Sequence, residues 1–356
     1  MMSAISTWIS PMKVTPMERL EQLRDDYLEA ILSQLDDVVV KGSPPNSTLV
    51  SMTRYHMETG GKRLRAILPL AVADALGHNP SRLVPFGAAC EILHNATLVH
   101  DDLQDGDRIR RGAETIWVKF GEARAINLGD AMLYYTLMLT RRLEGSADDR
   151  ERLSDRLLKE TVRVIDGQER EFLLQESDLP TWEDYVTMVE GKTSGLFALP
   201  LAGAAAFLNA PERLISGMHR AAGHLGVLFQ IQDDVLDIFG EKGRGRVGSD
   251  IAEGKISALV IHALHNGPEE DSRWLRELLR KDRDAVTDEE IECAAGFFKS
   301  TGALHFALAE IDRRANLAID EPELEGHPAI QELFRAMVEL FLEPIAPLII
   351  ETHGKQ

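Results

Sequence analysis

The sequence predicts an all-α protein, on three observations. Apolar residues recur at helical spacing in nearly every segment, as at Leu20, Leu23, Tyr27, Ile31 and Leu35. The alternation of apolar and polar residues that marks half-buried strands is missing. Breaker clusters such as KGSPPNST (41–48) separate the periodic segments. Hydrophobic residues make up 44% of the chain, enough for a sizeable core, and no composition shift marks a boundary, so residues 1–356 are expected to form one helical body.

In order, the first helix ends at the 41–48 linker and a second leads to Gly60 and Gly61, where the chain must bend. A third is expected from Lys62 to Leu76, with Pro69 in its first turn or at a kink. Ser81 is expected to cap the next helix and Gly106 to stop it. A long helix then runs from Phe120 to Leu143, followed by the charged loop EGSADDRER and a helix over 153–175. The apolar segment Tyr185 to Phe207 is interrupted by Gly191, Gly195 and Pro200. Pro211 suits the start of a helix that closes at Gly240, before the basic loop EKGRGRVGSD. From Ile251 on, helices alternate with acidic loops and no further catalytic constellation is visible.

Chemistry concentrates in HNATLVHDDLQDGDRIRRG (94–112). On a helix Asp101 and Asp105 lie one turn apart on one face, with Asp102 beside them. Paired carboxylates repel unless a cation sits between them, and Mg²⁺ suits them because it takes one or two protein carboxylates plus water and phosphate oxygens. Arg110 and Arg111 follow, and guanidinium pairs bidentately with phosphate. A lone DDxxD would be read as a solvated helix end, but the device repeats at Asp233, Asp234 and Asp237 in FQIQDDVLDIFG. There the acids are embedded among Phe229, Ile231, Val235, Leu236, Ile238 and Phe239, and buried carboxylates need partners. Two facing helices sharing metal ions would supply them.

Basic residues suggest the anions. GGKRLR places Lys62 and Arg65 on one face of a helix's first turn, where positive charge opposes the macrodipole unless an anion is near. His94 lies two turns before Asp101 on the same face, although a histidine on an apolar helix is commonly a satisfied core residue. Lys192 and Thr193, in GKTSG, resemble a phosphate loop only loosely. Lys255 and Arg246 follow the second acidic cluster, and Gln230 shares the face of Asp233. Taken singly, each could be an ordinary solvent-facing charge or amide.

Composition narrows the partners. With 39 Lys and Arg against 58 Asp and Glu the formal charge is −19, which argues against nucleic acid. Cys90 and Cys293 form neither a disulfide framework nor a metal spacing, and are read as reduced core thiols of a cytoplasmic protein. No apolar run approaches a membrane span, and the first residues lack the pattern of a signal peptide.

GGKRLR, HDDLQDGDRIRRG, KTS, FQIQDDVLDIFG and GSDIAEGK, in this order over residues 50–265, resemble the motifs of trans-isoprenyl diphosphate synthases, the polyprenyl synthetase family. The acidic balance and the stretch DIAEGKISALVIHAL are similar to archaeal members that make geranylgeranyl diphosphate. The resemblance implies the all-α isoprenoid synthase fold around a deep apolar cavity, and a homodimer. It also implies dependence on Mg²⁺, about three ions per site, and head-to-tail condensation of isopentenyl diphosphate with an allylic diphosphate. By the same resemblance, Asp101, Asp105 and Asp233 would ligate metal, with Asp102, Asp234 and Asp237 in support. Arg110, Lys192 and Lys255 would hold the allylic diphosphate; Lys62, Arg65, His94 and Arg111 would hold isopentenyl diphosphate; Thr193 and Gln230 would face the developing cation. The family often has a lysine where this chain has Arg246, which leaves that residue's role open.

Product length is expected to depend on the helix wall one turn before Asp101. Ala96 and Thr97, and beyond them Leu93, are small or aliphatic where farnesyl diphosphate producers commonly carry an aromatic. An open wall implies geranylgeranyl diphosphate or longer, with a floor near Leu133, Tyr134, Leu137 and Met138. Two other readings share the architecture: a class I terpene cyclase, opposed by the second basic cluster and the intact second acidic motif, and a non-catalytic subunit, opposed by the presence of both acidic motifs.

Overall fold

The computed structural model describes residues 15–240 and 247–353, with side chains to residue 350; Arg246 lies outside the described residues. The first half comprises α1 (Pro16–Gly42), α2 (Thr48–Glu58), α3 (Leu64–Ala75), α4 (Val84–Gln104), α5 (Ile116–Phe120), α6 (Glu122–Thr140) and α7 (Ala147–Glu176). Next come α8 (Trp182–Val189), α9 (Gly195–Ala198), α10 (Ala204–Phe207), α11 (Glu212–Phe239), α12 (Ser249–Ala252) and α13 (Ala258–Asn266). The chain ends with α14 (Glu269–Leu279), α15 (Asp288–Ser300), α16 (Ala303–Ile319), α17 (Pro328–Leu342) and α18 (Ala346–His353). The expected helical architecture is present.

Where boundaries differ from expectation, local caps explain them. Asn79, not Ser81, is the capping side chain: its oxygen accepts the Ser81 amide at 3.0 Å, a 3₁₀ turn covers Pro80–Leu83, and α4 begins at Val84. The charged loop before residue 153 is mostly helix, because Ser146 and Asp149 form a capping box that starts α7 at Ala147. Pro69 sits inside α3 rather than in its first turn. The long helix expected from Phe120 to Leu143 is α6, which starts at Glu122 because Gly121, at φ +98°, separates it from the short α5. A two-residue hairpin, Ile109–Arg110 against Ala113–Glu114, is the sole pair of strands among the described residues, and it is too short to leave an alternating pattern.

The core surrounds α4, which packs against α1, α3 and α6, while α11 packs against α9 and α16. The stretch from α8 to α10 is a nearly continuous helix with two π turns, Glu190–Ser194 and Leu199–Gly203. The first is wedged between α7 and α11. A Cβ on Gly167 would lie 2.1 Å from the Lys192 amide nitrogen, and one on Gly226 would lie 2.2 Å from Ser194 Oγ. Glycine on both neighbours is what lets the Lys192–Thr193 turn approach. A π bulge adds a residue to the turn and re-aims its side chains, a device concentrated at functional sites. No described helix is long and apolar enough to cross a membrane.

Candidate active site

A cavity of about 450 Å³ lies between α4, α7, the first π turn and α11. Asp101 and Asp105 line it from α4, and Asp233 and Asp234 from α11. Asp101 is half-buried in the cavity wall, and burial raises its pKa. Burial also opposes charge on Asp105, but Lys255 and Lys192 outweigh it and its pKa is lowered. Lys255 Nζ sits 2.8 Å from Asp105 Oδ2 and 2.7 Å from Glu253. Its own burial is overcome by Asp105, Asp250 and Glu253, so its pKa stands well above the usual lysine value.

The other three acids are placed differently. Asp234 accepts from Tyr185 Oη at 2.8 Å, the Ala258 amide at 2.8 Å and Gln230 Nε2 at 3.0 Å. Burial, with Asp250 nearby, pushes its pKa up to about 7 despite those donors. Asp102 does not line the cavity; it holds Arg110 Nε at 2.5 Å, and burial pushes it up to about 7 as well. Asp237 is fully buried and accepts Ser249 Oγ at 2.7 Å and the Asp250 amide at 3.0 Å, which fixes the start of α12.

Thr193 donates to Gln230 Oε1 at 3.0 Å, so the hydroxyl proton is committed and its lone pairs are left over. Lys192 is hydrogen-bonded to Glu171, which also accepts from Gln168 Nε2 at 3.1 Å. Burial disfavours the Lys192 charge, but Asp101 and Glu171 outweigh it and raise its pKa.

Beside this lies a second basic cluster. Arg65 stacks over Phe197 at 4.6 Å and donates from Nη1 to His94 Nε2 at 3.2 Å. Burial, then Arg65, keeps the His94 pKa well below 6.5, so the ring is neutral and accepts through Nε2. Arg65 Nε and His94 Nδ1 are buried donors without a partner among the described residues, each a costly omission unless a ligand oxygen meets it. Burial also lowers Arg65 to about 10. Arg111, at φ +52°, rests its guanidinium against Gly61 and donates to the Gly60 carbonyl. Arg63, also at φ +52°, is buried in an ion pair with Glu91 at 2.8 Å and holds the turn before α3. The two left-handed arginines, one before α3 and one in the hairpin, mark strained backbone in two neighbouring turns.

Of the expected site residues, Asp102, Asp237, Arg111, Lys62 and Ala96 do not line the cavity. Lys62 is exposed and lines a separate groove with Met17, Arg24 and Glu343. Ala96 is fully buried in the core and is not on the cavity wall; one face of α4 carries Leu93, Thr97, Leu98 and Asp101 into the cavity, and Ala96 lies off it. Of the candidate floor residues only Leu133 lines the cavity, while Tyr134 is 65% exposed. Gln168, Glu171, Tyr185, Asp250 and Ser257 also line the cavity and were not singled out from the sequence. For Gln168 and Glu171 a signal existed: they occupy the buried stripe of α7, in step with Leu157, Val164 and Leu174.

The donor set is hard carboxylate oxygen without thiolate, and no three acid, histidine or cysteine groups among the described residues converge into a ready-made cage. That fits Mg²⁺, which completes its shell with water and phosphate oxygens, better than a metal held by protein atoms alone.

A polyprenyl synthetase family model matches residues 46–294. A short chain isoprenyl diphosphate synthase of Methanocaldococcus jannaschii is 34% identical over 271 residues, covering 76% of this chain and 82% of that protein. A geranylgeranyl diphosphate synthase of Methanosarcina mazei is 33% identical over 277 residues, covering 77% and 85%. The solved geranylgeranyl pyrophosphate synthetase of Geoglobus acetivorans superposes with a TM-score of 0.79 at 26% identity, covering 90% of this chain and 99% of that one. The chain therefore has the all-α isoprenoid synthase fold and belongs to the polyprenyl synthetase family, as a trans-prenyltransferase.

Proposed function

We propose that the enzyme condenses isopentenyl diphosphate head-to-tail with an allylic diphosphate (dimethylallyl, geranyl or farnesyl), giving geranylgeranyl diphosphate or a longer product. The observation that carries this reading is one cavity lined both by acids on two walls and, at distinct positions, by Arg65 and His94, whose Nε and Nδ1 are unpartnered donors. Two diphosphates need two anion sites; a cyclase would need one.

In this reading Asp101, Asp105 and Asp233 hold Mg²⁺, and Asp234, Asp102 and Asp237 fix the frames of their helices. When bound, Mg²⁺ supplies charge neutralisation of the departing diphosphate. Arg110, Lys192 and Lys255 bind the allylic diphosphate, Lys255 leaving Asp105 as the latter takes up metal. Arg65 Nε, His94 Nδ1 and Arg111 bind isopentenyl diphosphate, with Lys62 swinging in from its groove. The allylic C–O bond breaks, the isopentenyl double bond attacks the cation, and the proton lost goes to the released diphosphate. Thr193 and Gln230 turn oxygen lone pairs to the cation, and Leu98, Val164, Phe172 and Leu196 exclude water.

The tail is read as running past Thr97 and Leu93 toward Leu133 and Ile165, a wall without an aromatic from α4. We extend the proposal to a homodimer: Ile126, Tyr134 and Met138 on α6, with Leu158, Val162 and Ile165 on α7, expose apolar side chains at helical spacing. A solution mass of one chain would reject the dimer. A single-domain cytoplasmic enzyme is part of the same reading, supported by two free cysteines: Cys90 is buried as expected, whereas Cys293 is exposed and not in the core. Asp101→Asn and Asp233→Asn, each folded by circular dichroism, should lose at least about 10²-fold in product formation; an active variant would remove the metal-holding role.

A further inference from the structure

Arg283 lies in the turn after α14, in the part of the sequence where no functional constellation was visible. Its Nη1 donates to the Asp105 carbonyl at 2.8 Å, one of the carbonyls left over at the end of α4. Its Nη2 reaches Asp107 Oδ1 at 2.9 Å and Glu253 Oε1 at 3.0 Å. Glu253 in turn holds Lys255 at 2.7 Å, and Lys255 returns to Asp105 at 2.8 Å. Asp107 is also 3.9 Å from Arg110, which Asp102 holds. These contacts close a ring. It joins the helix end bearing the first acid pair to the α12–α13 turn, which is itself tied to Asp234 through the Ala258 amide.

We propose that Arg283 is a positioning residue that fixes the spacing of the two acidic walls, and so the affinity for a metal-bound diphosphate, without touching either substrate. The inference rests on the reading of the cavity as a diphosphate–metal site. A planar guanidinium suits the task because its fork serves a main-chain carbonyl and two carboxylates at once; a lysine ammonium cannot hold that geometry. Since Glu253 and Asp107 are nearly enclosed while Arg283 is 37% exposed, the clasp is set in from the surface and can be loosened without opening the core.

The test is titration of inorganic pyrophosphate into the full chain in excess Mg²⁺, with steady-state KM values measured in parallel. Arg283→Met should weaken pyrophosphate binding by about fivefold or more and raise the allylic KM by a similar factor. The isopentenyl KM should be unchanged, because Arg65 and His94 sit outside the ring. Arg283→Lys should fall between. Combining Arg283→Met with Glu253→Gln should cost little more than either alone, as expected of partners in one contact. Equal pyrophosphate affinity in wild type and Arg283→Met, an equal rise in both KM values, or fully additive losses would each overturn the role. Failure of the wild type itself to bind pyrophosphate with Mg²⁺ would instead overturn the underlying reading of the cavity.

Discussion

At the scale of residues, electrostatics decides which side chains are available. His56 is buried beside Arg110, Arg111 and Arg63; burial foremost, then those charges, depress its pKa to about 3. A depressed histidine contributes stability that is full above its unfolded pKa of about 6.5 and is lost as pH falls toward the folded value, because the unfolded chain binds the proton first. Relative to His56→Gln, wild-type stability should therefore fall by about 1.4 kcal/mol per pH unit between pH 6.5 and 4. Denaturant melts across that range would read it, and a constant difference would refute the burial of a neutral ring. Asp101, Asp105, Asp233, Asp234, Arg65 and His94, which line the cavity, were legible as candidates from their spacing on helix faces. Arg63 and Glu91 were not, since an ion pair 28 residues apart leaves no local pattern. Arg283 lies 178 residues from Asp105 and was equally invisible.

At the scale of elements, α4 shows how one helix serves both core and cavity. Thr97 faces the cavity and Ala96 the core, a difference of one position that periodicity alone left open. Thr97→Phe should shorten the product by at least one isoprene unit, since each helical turn spans ~5.4 Å, with little loss of stability. Ala96→Phe should instead destabilise the fold by about 1–3 kcal/mol or more while leaving the length of any product unchanged. Product chromatography and thermal melts of the two variants separate these outcomes, and a shortened product from Ala96→Phe would reverse the assignment of faces. The helices themselves were legible from periodicity and caps. Their π turns were not, because Gly167 and Gly226 act on a segment distant in sequence, and only packing reveals that a Cβ there would collide with it.

At the scale of the molecule, a net charge of −19 surrounds a site that, in the proposed function, attracts two anions. The chain resolves this locally, by setting Lys192, Lys255, Arg110 and Arg65 in the lining of the cavity. In the proposed function a divalent ion lets carboxylates and diphosphate share that space. Incubation with labelled isopentenyl diphosphate and each of dimethylallyl, geranyl and farnesyl diphosphate, with Mg²⁺ or with chelator, tests this claim most directly. The account predicts an extended diphosphate of geranylgeranyl length or longer, formed only with Mg²⁺; hydrocarbon released from the allylic substrate alone, or product formed equally in chelator, would contradict it.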